Sequence, residues 1–207
     1  MNVSVSRAIG DTYSIALKNI PSIFAAAILW VITIWVPYIN VGTTIALFNG
    51  LPLELSRGEV INPLSIFDGK YRKFMGEYFI CVSLMVMGMT IALFFLIIPA
   101  IVISIGWMFA VLLLVDREMN PTEALAASTK YTYGYKWTIF FSQLLVSIIL
   151  IVIYLVCFGI INAADSGFVT FIIGVPMFGL LASINVSFAG AMYRMLVVER
   201  DAQPEEC

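Results

Sequence analysis

The chain has 207 residues, of which 61% are hydrophobic and 12% charged, with a net charge of −2; soluble domains run at about 45–50% apolar and about 25% charged. One water-exposed domain of this size cannot hide so much apolar surface, so the solvent is partly lipid and membrane lipids are the first expected partner. Nucleic acid is not expected as a partner, because no extended basic region exists to meet phosphates.

Residues 1–7 are polar and lack a cleavage pattern ahead of a short apolar core, which argues against a removable signal peptide. Ile9, Tyr13, Ala16, Leu17 and Ile20 then recur at helical spacing, with Arg7, Asp11 and Lys18 on other faces. This predicts an amphipathic helix capped by Ser4 or Ser6 and ended by Asn19. No Asp, Glu, Lys or Arg occurs between Asn19 and Leu53. Pro37 divides this block into two short apolar segments, 19–36 and 37–55.

Asn62-Pro63 opens the next stretch, which runs to Gly76. Asn is a good helix cap because its side-chain oxygen accepts from free backbone N–H groups. Proline suits the first turn and glycine the exit, so a short helix is expected here. Lys70, Arg72 and Lys73 within it are candidate contacts for anionic lipid headgroups, at about 1 kcal/mol for each basic residue near the surface. A second uncharged block, Tyr78 to Val115, holds two apolar segments divided at Pro99.

Asp116, Arg117, Glu118 and Glu123 form a small charged cluster, explained by a cap, local ion pairs and a turn. Asn120-Pro121 to Gly134 repeats the Asn-Pro to Gly spacing of the earlier stretch and predicts another short helix. Tyr131, Tyr133, Tyr135 and Trp137 follow where an interfacial aromatic belt belongs. The fifth apolar segment, 137–161, is separated by the polar stretch 162–167 from a sixth that ends near Val198. In that last segment Gly179, Ser183, Ser187 and Ala191 stand four apart. They therefore share one helix face, where another backbone can approach closely, and they are expected to form a helix-packing interface within the chain or to a partner.

Each segment is long enough to approach a crossing of the hydrocarbon core, which takes about 20 residues. With six crossings, all eleven Lys and Arg residues fall on one side, in 1–18, 56–73, 116–136 and 194–207. Lys and Arg mark the cytoplasmic side, whereas acidic residues such as Asp165 count little. Both termini are therefore expected in the cytoplasm. The layout reads as one all-α membrane bundle of about six transmembrane helices and three short amphipathic interfacial helices. It forms a pseudo-threefold repeat over 1–58, 59–118 and 119–200, with a short cytoplasmic tail, 201–207.

No catalytic, cofactor-binding or metal-ligating residues are expected. The chain has no His, so the commonest general base is missing. Its spans hold no ionisable group of the kind that marks ion and proton pathways. Cys81, Cys157 and Cys207 have no metal-ligand spacing. Asn40, Asn49, Gln143, Asn162 and Asn185 are the strongest polar groups in or near the spans, and structural bonding is the expectation for each.

The stretch from Ile98-Pro99 through Leu-Val-Asp-Arg-Glu-Met-Asn-Pro-Thr-Glu-Ala-Leu, Ser128 and Tyr-Gly-Tyr-Lys-Trp-Thr-Ile-Phe to Phe140 resembles uncharacterised bacterial integral-membrane proteins. These are related to the membrane domain attached to some glycerophosphodiester phosphodiesterases. The likeness continues through Gly174-Val-Pro176 to Tyr193-Arg194, covering the carboxyl-terminal half. It implies six helices and the bacterial inner membrane; it does not imply phosphodiesterase activity, because the family's hydrolase is a separate soluble domain. The expectation is a non-enzymatic accessory or scaffold subunit with a membrane-protein partner or a homo-oligomeric form; the alternative is a transporter or lipid-handling protein for an apolar or amphipathic substrate.

Overall fold

A computed structural model of the chain describes residues 3–164 and 166–202; Asp165, Cys207 and the rest of the tail from 203 lie outside them. Within the described residues the secondary structure is helical, with no strand. Five helices are long and apolar enough to cross a membrane: Val5–Thr33, Met75–Phe95, Ile97–Arg117, Lys136–Ala163 and Ile172–Asp201.

Helix α1 (Val5–Thr33) starts where the sequence places a cap, with the Arg7 N–H donating to Ser4 Oγ at 3.3 Å. It does not stop at Asn19. The amphipathic segment and the first apolar segment are one helix of 29 residues, with Pro21 inside it. Asn19 is buried and donates its side-chain amide to the Ile15 carbonyl at 3.0 Å, so it bonds its own helix instead of freeing the chain to turn. Proline removes one backbone donor, a loss that helices inside membranes tolerate.

The return segment is helical throughout: α2 (Pro37–Ile45), a wider π-type turn at Ala46–Gly50, and α3 (Leu51–Ser56). Its polar groups close on α1. Thr33 Oγ1 and Thr43 Oγ1 are 2.9 Å apart, the Asn40 amide donates to Thr33 Oγ1 at 3.2 Å, and Trp30 Nε1 donates to Thr44 Oγ1 at 2.8 Å.

The expected helix from Asn62 to Gly76 is broken. Asn62 does cap its start, accepting from the Leu64 N–H at 3.1 Å. A tight turn at Pro63–Phe67 follows, then the single-turn α4 (Gly69–Arg72), and Gly76 already lies inside α5 (Met75–Phe95). The cause is Asp68: it is extended (ψ 130°) and restarts the chain, with Oδ1 accepting from the Lys70 N–H at 3.0 Å. By contrast, α8 (Pro121–Thr132) is an uninterrupted helix, and Gly134 exits with the left-handed φ of +85° that favours glycine. Its buried side, Ala124, Leu125, Ser128 and Thr132, is packed into the protein. Thus, of the three short amphipathic helices expected, the first is continuous with a span, the second is divided, and the third is present and partly buried.

Between α5 and α8 lie α6 (Ile97–Gly106) and α7 (Ala110–Arg117). Pro99 falls inside α6, and the hairpin turn lies at Leu96 (φ −179°, ψ 154°). Residues 107–109 interrupt the pair, so the Gly106 carbonyl and the Phe109 N–H lose their helical partners. Ser128 supplies both: its hydroxyl donates to Gly106 O at 2.7 Å and accepts from Phe109 N–H at 3.1 Å. The chain closes with α9 (Lys136–Ala164), α10 (Gly167–Tyr193), a second π-type turn at Arg194–Val198 and α11 (Glu199–Asp201). Pro176 lies within α10.

The core gathers around α7 and the end of α10, where Phe109, Leu113, Leu114, Met192, Tyr193 and Leu196 are almost wholly buried. The Phe109 and Tyr193 rings meet edge to face at 5.7 Å, the arrangement that ring quadrupoles favour. Helices α5 and α9 bury little of themselves, about a tenth of their most apolar stretch (11%). Their outward side chains, such as Phe79, Phe94, Leu155 and Phe158, suit hydrocarbon.

Candidate functional site

The small-residue face of α10 meets protein. Ser183, Ser187 and Ala191 are fully buried. Gly179 lies so near α1 that a Cβ there would sit 1.8 Å from Phe24 Cδ2. Helices α1 and α10 make the most extensive helix–helix contact in the molecule. Gly190, close to the same face, brings α10 against α3, where a Cβ would meet the Pro52 carbonyl at 2.8 Å. Ser183 Oγ donates to Gly179 O at 2.7 Å, while Ser187 Oγ is buried without a hydrogen-bond partner among the described residues.

The basic trio at 70–73 is largely engaged by protein groups. Lys70 lies 3.5 Å from Asp68 and 3.8 Å from Glu54, and Lys73 is 3.1 Å from Glu118. The stem of Arg72 packs on Gly42, where a Cβ would sit 2.6 Å from Arg72 Cγ. Lys70 and Lys73 remain exposed, so their ammonium groups are still open to solvent and headgroups.

Around them lies a polar concavity of about 240 Å³, bounded by Glu54, Arg57, Lys70, Tyr71, Asp116 and Glu118 and lined also by Gly50, Leu53, Phe74 and Val115. Gly50 is required there, since a Cβ would meet the Tyr71 ring at 2.4 Å. Glu54 accepts from Tyr71 Oη and Ser65 Oγ, each at 3.4 Å. Burial, reinforced by the Glu54 carboxylate, holds the Tyr71 phenol well above its usual range. Asp116 accepts from Tyr193 Oη at 2.6 Å and pairs with Arg57. The Asp68 carboxyl is held below the usual range, chiefly by the Lys70 backbone N–H.

Further pairs fasten the chain ends to this side of the molecule. Arg7 grips both oxygens of Glu199, at 2.7 and 3.0 Å. Arg117 and Tyr131 converge on Asp201, with Tyr131 Oη donating at 2.9 Å. Local charges at 116–118 were expected to pair with near neighbours; instead they join elements 45 to 84 residues apart.

The acids and bases of this cluster are matched, so its evident chemistry is to lock helix ends together. Among the described residues no group of three His, Cys, Asp or Glu side chains is placed to hold a metal ion. Four of the five amides expected to bond structurally do so: Asn40 donates to Thr33, Asn162 and Asn185 donate to carbonyls of their own helices at 2.8 Å, and Gln143 donates to Ser147 at 3.4 Å. Glu54, Tyr71 and Tyr193 escaped the sequence reading. Their one signal was Glu54, a charge just inside the end of an otherwise uncharged segment. No protein-family model, curated protein or solved structure matches the chain.

Proposed function

We propose that this protein is a bacterial inner-membrane scaffold or accessory subunit without catalytic activity, crossing six times with both termini in the cytoplasm. The sixth crossing is the segment 37–56. It is less apolar than the other five because of Asn40, Asn49 and Glu54, and its polar groups turn toward α1 and α4, as polar residues inside a bilayer do. The threefold layout over 1–58, 59–118 and 119–200 and the kinship with phosphodiesterase-associated membrane domains belong to the same reading. So do a helix-packing role for the α10 stripe and headgroup contact by Lys70, Arg72 and Lys73.

One observation carries the scaffold role: ion pairs tie the ends of α1, α3, α7 and the final helix into a single matched cluster. Such a cluster makes a stiff platform at the ends of these helices. The test is to purify the full chain in mild detergent and weigh the complex by native mass spectrometry. A stoichiometric protein partner is expected; a lone monomer or simple homo-oligomer overturns the role. Carboxyl-terminal fusions should fluoresce as a cytoplasmic reporter and remain inactive as alkaline phosphatase.

Lipid handling is the second reading, favoured by an almost wholly apolar cavity of about 530 Å³ between α1, α9 and α10, lined by Phe24, Ile153, Cys157, Pro176 and Leu180 among others. Exchange of labelled lipid between vesicles, dependent on the protein, would favour it.

A further inference from the structure

A second apolar depression, about 280 Å³, lies between α6 and α9, with Ile98, Ile101, Val102 and Ile105 facing Trp137 and Phe140. It opens outward, since Ile98 and Trp137 are 69% and 74% exposed. Lys136 lines it too, at the end nearest the start of α9. The lining exposes no polar surface, so Lys136 contributes its aliphatic stem while its ammonium projects beyond, as lysines at the edge of hydrocarbon do. Lys136 is the first residue of a stretch long and apolar enough to cross a membrane; with α9 crossing from its first residue, that ammonium stands at headgroup level.

Its charge is unmatched. Arg7, Arg57, Lys70, Lys73, Arg117 and Arg194 each have a carboxylate within ion-pair distance. The Lys136 side chain has neither an ion pair nor a hydrogen bond to any described residue. An apolar trough ending at an unpaired cation has the complementarity of a single-headed amphiphile with a negative head.

We propose that this groove is a binding site for one anionic phospholipid, an acyl chain lying along α6 and the phosphate held by Lys136. The site depends only on α6 and α9 lying in the bilayer, so it stands or falls separately from the scaffold role. The full chain in mild non-ionic detergent is titrated with phosphatidylglycerol or phosphatidylcholine of identical chains, and bound lipids are counted by native mass spectrometry. One phosphatidylglycerol should be retained about tenfold better than phosphatidylcholine. Lys136→Gln should reduce that preference at least threefold and Lys136→Arg should keep it. Ile101→Trp, which fills the trough, should weaken both lipids. Lys130→Gln removes an equal charge outside the trough and should change nothing; its thermal melting and that of Lys136→Gln should equal the parent's. Equal preference in parent and Lys136→Gln, an equal loss in Lys130→Gln, or a second protein copy in place of lipid overturns the proposal.

Discussion

Replacing Ser128 by alanine removes one oxygen and should unsettle the core of the molecule. The Ser128 hydroxyl is fully buried and is the acceptor for Phe109 N–H and the nearer donor to Gly106 O. In Ser128→Ala the N–H has no replacement. The carbonyl keeps only the Thr132 hydroxyl, at 3.4 Å, and Thr132 is already committed to the Ser128 carbonyl at 3.0 Å. Stranding a buried backbone donor costs about 1–3 kcal/mol, and the weakened acceptor keeps the total in the upper half of that range. A loss of about 2 kcal/mol corresponds to a fall of about 4–8 °C in Tm for a chain of this length. The assay is thermal unfolding in one fixed detergent, joined to hydrogen exchange at Phe109. Exchange there should accelerate while amides in the middle of α1 stay protected. A variant melting within a degree of the parent, with the Phe109 amide still protected, would refute the bridging role.

Asp116→Ala should cost more than Arg57→Ala, although the two residues form one ion pair. Arg57 is half exposed, and such pairs contribute about 0–1 kcal/mol; removing Asp116 also leaves the buried Tyr193 hydroxyl without its acceptor, about 1–3 kcal/mol. Equal melting temperatures for the two variants would contradict this. Ser183→Leu with Ser187→Leu should destabilise the chain by overpacking, about 1–3 kcal/mol for each site, read as lower Tm or altered size in detergent. Asp68 titrates below its unfolded range, so its support for α4 is full above the unfolded pKa and fades as pH falls through the lower folded value. Accordingly, the Lys70 amide should exchange faster, relative to its intrinsic rate, in strong acid; Asp68→Ala should show the same loss at neutral pH, about 1 kcal/mol, and Asp68→Asn should largely keep the cap.

The uncharged blocks, the cationic segments between them, the caps at Ser4 and Asn62 and the glycine exit at Gly134 were all legible in the residue order. Each expresses a local property: transfer of a side chain into lipid, a short-range backbone bond, or freedom at positive φ. Helix ends were less legible, because whether a chain stops at Asn19 or Gly76 depends on what its neighbours offer the freed backbone groups. Asn19 bonds its own helix and α1 continues; Asp68, not Gly76, marks the restart before α4.

The sequence by itself determined that this chain belongs in lipid, which residues form its apolar segments, and that its cations lie between those segments. Only the tertiary structure decided that the α10 stripe meets Phe24 of α1, that Ser128 repairs a break nearly twenty residues before it, and that the charges near residue 116 pair with partners 45 to 84 residues away. Hydropathy acts on one side chain at a time, whereas close packing and ion pairing depend on two elements arriving together, which residue order does not express.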